Sequence, residues 1–260
     1  MLALLAAVSL VQVAYTIPST PQPYTLDLKF DGFIGLFGLI NAKAEVQANL
    51  VVKAEQADSS GNVRASTNLD ALKVILNGSI MPFTKDGVAQ YFPNTVTLSP
   101  QGKVLKSDSP DVNLPIHLPG LDIKRFPALT FLAIEFPKDG IQEGTAFSYT
   151  REFQAGPISY TVTPRSISTD TIKMDITLTQ DYDELQDESN QIVKDAKDAV
   201  NDVKTHVTGT GAVEFDRKLG LISKVHINAD AAAKVTNVQT KEESKRDLKT
   251  TMDVTLANPQ

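Results

Sequence analysis

From Leu221 the odd positions run Leu221, Ser223, Val225, Ile227, Ala229, Ala231, Ala233 and Val235, while the even positions between them include His226, Asn228, Asp230, Lys234 and Thr236. A period of two sustained over this length fits one long β-strand with a buried face and a wet face. Just before it, Val207, Gly209, Gly211, Val213 and Phe215 alternate with Thr208, Thr210, Ala212, Glu214 and Asp216, and the polar turn Arg217-Lys218-Leu219-Gly220 joins the two runs. The pair reads as a long antiparallel hairpin. A chain that carries such a hairpin must bury one side of it, so the remaining segments have to extend the sheet or cover it.

Most of them extend it. Tyr24 to Phe33 alternates loosely and gives a first strand. Ala42, Ala44, Val46, Ala48, Leu50, Val52 and Ala54 then share one face of a strand that spans about 40 Å. Asp58 to Asn62 is a turn. The return strand places Val63, Ala65, Thr67 and Leu69 inward and then slips to Leu72, Val74 and Leu76, a one-residue phase change that marks a β-bulge. Further hairpins are read at Val96 to Leu105 about Ser99–Gly102, and at Ile158–Thr163 with Thr171–Thr179; Thr145 to Phe153 is another strand, and Leu248 to Leu256 the last. The glycines of Gly32 to Ile40 read as bends of a curling sheet rather than a membrane-facing loop.

One stretch changes period. Ile192, Val193, Ala196, Ala199, Val200 and Val203 share a helical face, with Asp181 and Glu184 as a start signal and Lys204, His206 and Gly209 at the end. This predicts an amphipathic helix over 184–205, laid along the sheet. Residues 107–144 are rich in proline yet too apolar for a solvated linker, and read as a packed connection between two similar halves, 24–106 and 145–260.

The apolar run from Met1 to Tyr15, followed by the Pro-rich Thr16 to Pro23, has the form of a signal peptide with a cleavage region near Ala14, although no Lys or Arg precedes it. A buried first element is the alternative. The expectation is a protein outside the cytoplasm, in the periplasm, at the cell surface or secreted, with residues 1–23 as leader and polar linker and membrane contact only through the N-terminal apolar segment. With no cysteine, the chain has neither disulfides nor thiol chemistry, and its net charge of −6 with scattered lysines argues against a nucleic-acid partner.

No catalytic constellation emerges. His117, His206 and His226 lack the spacing of metal ligands, and the acidic cluster Asp181, Asp183, Glu184, Asp187 and Glu188 lacks the glycine and alternating ligands of a calcium loop. There is no Gly-x-Ser-x-Gly elbow, phosphate loop or dinucleotide fingerprint. No catalytic, cofactor or metal residue is assigned; a hydrolase built from dispersed carboxylates is the remaining enzymatic alternative.

The segment Phe136-Pro137-Lys138-Asp139-Gly140-Ile141-Gln142-Glu143-Gly144-Thr145-Ala146-Phe147 resembles a recurring segment of exported bacterial proteins of unknown function, in which a Pro-containing loop leads to Gly-Asp-x-Trp at a strand start; here Thr145 and Phe147 replace the Asp and Trp. Gly209 to Asp216 with Gly220 and Leu221 resembles the closing hairpin of the same proteins. By architecture the chain is also similar to half-barrel lipoprotein carriers and sensors of the LolA and RseB type, and that resemblance implies an apolar concave face able to take acyl chains. It supplies no catalytic residues.

The expected fold is mainly β: one or more long curved antiparallel sheets forming a half-barrel or a two-sheet clam, with one helix packed on the sheet. The expected function is non-enzymatic, binding a hydrophobic small molecule or an envelope component on the face that carries Val46, Ala48, Leu50, Val52, Val225, Ile227, Ala229, Ala231 and Ala233. The alternative is a structural or adhesive module with a filled core, acting through sheet edges and loops.

Overall fold

The computed structural model describes residues 10–34, 41–83, 85–87, 92–108, 134–153 and 155–257. Most of the N-terminal apolar run, the glycine-rich stretch 35–40 and most of the Pro-rich connection, with His117, lie outside the described residues.

Among the described residues, thirteen strands follow in chain order: β1 (Gln22–Gly32), β2 (Ala42–Ala54), β3 (Val63–Leu76), β4 (Ser79–Ile80), β5 (Asn94–Leu98), β6 (Val104–Ser107), β7 (Phe147–Arg151), β8 (Ile158–Ile167), β9 (Thr171–Gln186), β10 (Ile192–Val193), β11 (Asn201–Asp216), β12 (Leu221–Asn237) and β13 (Glu243–Leu256). They form one open sheet in the order β6-β5-β3-β2-β1-β13-β12-β11-β9-β8-β7, with β4 beside β3 and β10 beside β9. Two antiparallel meanders, 22–107 and 147–256, therefore meet where the first strand pairs with the last, Tyr24 opposite Leu256 and Gly32 opposite Leu248.

The alternation seen in the sequence survives as a single inner face. One row across the sheet reads Val46, Leu28, Met252, Ile227, Gly211, Ile176 and Val162, each opposite the next. The slip in β3 is a bulge at Asp70: Leu50 faces Leu69, and Asn49 faces Ala71. Without that extra residue, Leu72, Val74 and Leu76 would point to solvent.

The sheet curls strongly. From β5 to β12 are five strand spacings, roughly 24 Å along a flat sheet. Yet adjacent residues reach both: the Tyr15 N–H donates to Pro100 O in the β5–β6 turn at 2.8 Å, and the Thr16 N–H donates to Gly220 O in the β11–β12 turn at 3.1 Å. Val13, Tyr15 and Ile17 are buried, and Val11 bridges to Ile141. The later part of the apolar run thus serves as a strap across one end of the curved sheet.

That end is plugged. The Phe136 N–H donates to Gln101 O, and its ring lies 5.3 Å from Phe215 of β11 and 6.2 Å from Phe147 of the edge strand β7. The Tyr15 ring meets Phe215 edge-on at 5.3 Å. The Tyr24 hydroxyl reaches over β13 to donate to Ile222 O at 2.6 Å. Such offset and edge-on ring contacts add to the apolar burial.

The expected helix is absent, a correction to the reading of 184–205. That stretch holds the end of β9, β10, a 3-10 turn at Ala196–Asp198 and the start of β11. Its supposed helix-end charges are cross-strand partners on the outer face. Asp181 pairs with His206 at 2.7 Å, and Asp183 with Lys204 at 3.3 Å. From Val203 on, burial alternates through Thr205 and Val207, so sheet pairing overrode a brief 3.6-residue coincidence.

Candidate functional site

At the end of the sheet opposite the plug, small residues open the inner face. Arg246 on β13 lies opposite Ala233 on β12, which lies opposite Thr205 on β11, which lies opposite Tyr182 on β9. Next to them Ala231 and Leu248 are buried. Together with Phe33, Gln186 and Val203 these residues line a cavity of about 50 Å³, room for a few waters or one small polar group.

Arg246 dominates it. Its Nη1 donates to Gln186 Oε1 at 2.7 Å and its Nη2 to Asn190 Oδ1 at 2.9 Å, and the guanidinium lies 4.2 Å from the Phe33 ring centroid. Alanine at 233 leaves the long side chain space to cross the row. Sheet curvature does the rest, because β9 stands three strand positions away. Asn190 is held at φ 61° in a turn where Asp187 Oδ1 accepts the N–H groups of Ser189 and Gln191 at 2.8 and 2.9 Å. Gln186 is buried, and its amide nitrogen donates to Glu184. Burial draws the Arg246 pKa down from its usual value while the Glu184 charge counteracts this; an arginine starts so high that it stays cationic. Tyr182 is shifted up by burial and remains a neutral phenol.

All nine residues expected to face a ligand lie on the inner face, on two strands separated by β1 and β13. Ala48, Leu50, Val52, Val225 and Ala231 are buried, whereas Val46, Ile227, Ala229 and Ala233 keep partial exposure. Ala231 and Ala233 line the Arg246 cavity; the four β2 residues do not. Sequence reading missed Arg246 because it falls in the charged run 241–246, which looks like a solvated turn. A faint signal was available: Arg246 shares the even phase of Leu248, Thr250, Met252 and Val254.

A wider depression, about 460 Å³, is lined largely by polar residues of the convex side, among them Lys29, Lys43, Glu45 and Lys249. On the same side, His226 pairs with Asp253 at 2.7 Å, and Asn228 links His226 to Thr251. Among the described residues no three His, Asp or Glu side chains gather as metal ligands.

The fold and site define an open, single-sheet antiparallel half-barrel with one plugged end. No protein-family model and no curated protein matches the chain. Among solved structures it is similar to a chain of lipovitellin, described for its lipid–protein interactions, with a TM-score of 0.51 and 11% identity over 94% of this chain and 25% of that one. This chain thus spans about a quarter of that chain's length, and the likeness is one of fold. DynF, from the dynemicin biosynthesis pathway of Micromonospora chersina, aligns over 98% of this chain and 88% of that one at 10% identity, but a TM-score of 0.19 is too low to carry an argument.

Proposed function

We propose that this is a non-enzymatic exported protein that holds a hydrophobic, lipid-like ligand against the far half of its concave sheet. The observation that carries this reading is a change in burial along one face. Near the plug, Val52 and Val225 are sealed at 1% exposure, whereas towards the other end Ala44, Val46, Leu72, Val74 and Leu76 stay only half-buried. There β3 runs past β5, whose pairing with it stops at Thr67. Apolar area left open beside a sealed core is the usual signature of a contact surface. The fold it shares with lipovitellin, described for its lipid interactions, is in keeping with this, as is the resemblance of residues 136–147 to exported proteins. The core uses Val13, Tyr15 and Ile17, so we place any leader cleavage before Val11.

Titration with a fluorescent fatty acid tests the reading. Saturable binding is expected, weakened at least tenfold by Val46→Glu or Leu72→Glu with the fold intact by circular dichroism. Absence of saturable binding to the folded protein removes it. The sealed half of the same face favours a second reading, a structural or adhesive module with a filled core; recovery of a specific protein partner without ligand binding would support that instead.

A further inference from the structure

We propose that the Arg246 cavity is the head-group site for an amphiphile with a carboxylate or phosphate head, its chain lying along the half-buried inner face. This rests on the hydrophobic-ligand reading and adds the class of ligand and the residue that selects it.

Three observations converge. First, Arg246 is a cation held in place by neutral groups. Its two hydrogen bonds go to side-chain amide oxygens, and its flat face rests on Phe33. By contrast, Arg151, Arg165 and Lys204 each contact a carboxylate, that of Glu135, Asp175 and Asp183. A guanidinium has five N–H donors in a planar fork, and the two amides account for one on each terminal nitrogen. Second, the cavity suits a head group rather than a whole lipid: about 50 Å³, with alanines 231 and 233 keeping it open. Third, the site continues into apolar surface. Ala233 and Ala231 are followed on the same face of β12 by the half-buried Ala229 and Ile227, whose row leads to Val46 on β2. Glu184 also lines the cavity. Its carboxylate accepts from Gln186 Nε2, so it orients the amide that grips the guanidinium, whose hydrogen bonds to Gln186 and Asn190 use two of its five N–H groups. A charge-assisted bond to a carboxylate in such a half-dry place is roughly twice as strong as a neutral one.

The test is calorimetric, on the full chain, with dodecanoate, dodecanol, acetate and inorganic phosphate as probes. Dodecanoate is expected to bind about tenfold or more tighter than dodecanol. Asn190→Asp, nearly isosteric and tolerant of positive φ, gives Arg246 an internal counter-ion and should erase that preference while leaving dodecanol binding within twofold. Arg246→Gln, with the fold intact by circular dichroism, should also erase that preference. Equal binding of dodecanoate and dodecanol by the unaltered protein overturns this inference but leaves the hydrophobic-ligand reading standing. Binding of neither overturns both. Binding of acetate or phosphate as tight as that of dodecanoate shows a site for small free anions and overturns the amphiphile. Retention of the preference in folded Asn190→Asp and Arg246→Gln also overturns it.

Discussion

The Tyr15 hydroxyl both donates to the carbonyl oxygen of Ile134, at 3.2 Å, and accepts from its backbone N–H, at 2.8 Å. One phenol thus satisfies both polar groups of a buried residue 119 positions away. Tyr15→Phe keeps the ring packing and leaves both groups without this partner. A buried unsatisfied group costs about 1–3 kcal/mol, so a loss of about 3 kcal/mol is expected, read as a lower denaturant midpoint with an unchanged slope. A midpoint equal to that of the unaltered protein would show that the strap contributes nothing.

Gly102 sits under the same strap at φ 89°, and a Cβ there would run into Ile134 O and the Tyr15 ring. Gly102→Ala therefore combines an unfavourable backbone conformation with a clash against two fixed groups. The expected cost is at least about 2 kcal/mol, with an accompanying loss of near-ultraviolet tyrosine dichroism. A change within 0.5 kcal/mol would argue that the β5–β6 turn does not dock on Tyr15.

Two ion pairs should differ in what they contribute. Arg151 and Glu135 are both largely buried and 3.0 Å apart, so Glu135→Ala strips a buried guanidinium of its carboxylate, at about 3 kcal/mol. Asp181 and His206 are exposed on the outer face, and Asp181→Asn should cost under about 1 kcal/mol. Thermal melts of the two variants side by side distinguish them.

Tyr15, Tyr24, Tyr149 and Tyr182 all have phenol pKa values raised, chiefly by burial. The folded chain keeps these protons while the unfolded chain releases them near pH 10. Their contribution is therefore complete below about pH 10 and is lost as pH climbs towards the folded values. Stability should fall steeply above pH 10, and tyrosinate absorbance at 295 nm should rise for these four only as the protein unfolds. Their free titration in the folded protein near pH 10 would contradict the burial.

Much of the sheet was legible in the sequence because its signal is local. Val225 to Val235 and Ala42 to Ala54 each keep one apolar phase along their length, and the step from Leu69 to Leu72 announces its own bulge. The segment from Glu184 to Thr205 was misread because Ala199, Val200 and Val203 satisfy a helical spacing by chance. What settles their fate is pairing with β9 and β12, which no local window contains. Arg246 was hidden for a related reason. Its role depends on curvature that brings β9 within reach, and on a turn ending at Asn190, 56 residues earlier in the chain.

The pairing of β1 with β13 has a consequence for how this protein is made. Thr25 and Thr255 stand side by side, 230 residues apart. On the ribosome, the β1–β2–β3 arm emerges with one flank of β1 unpaired, and residues 77–242 must follow before its neighbour exists. Until β13 emerges, that flank is an open template for other strands, so the final fourteen residues of the sheet act as the lock of the whole fold, and the interval before they arrive is when the growing chain most needs protection.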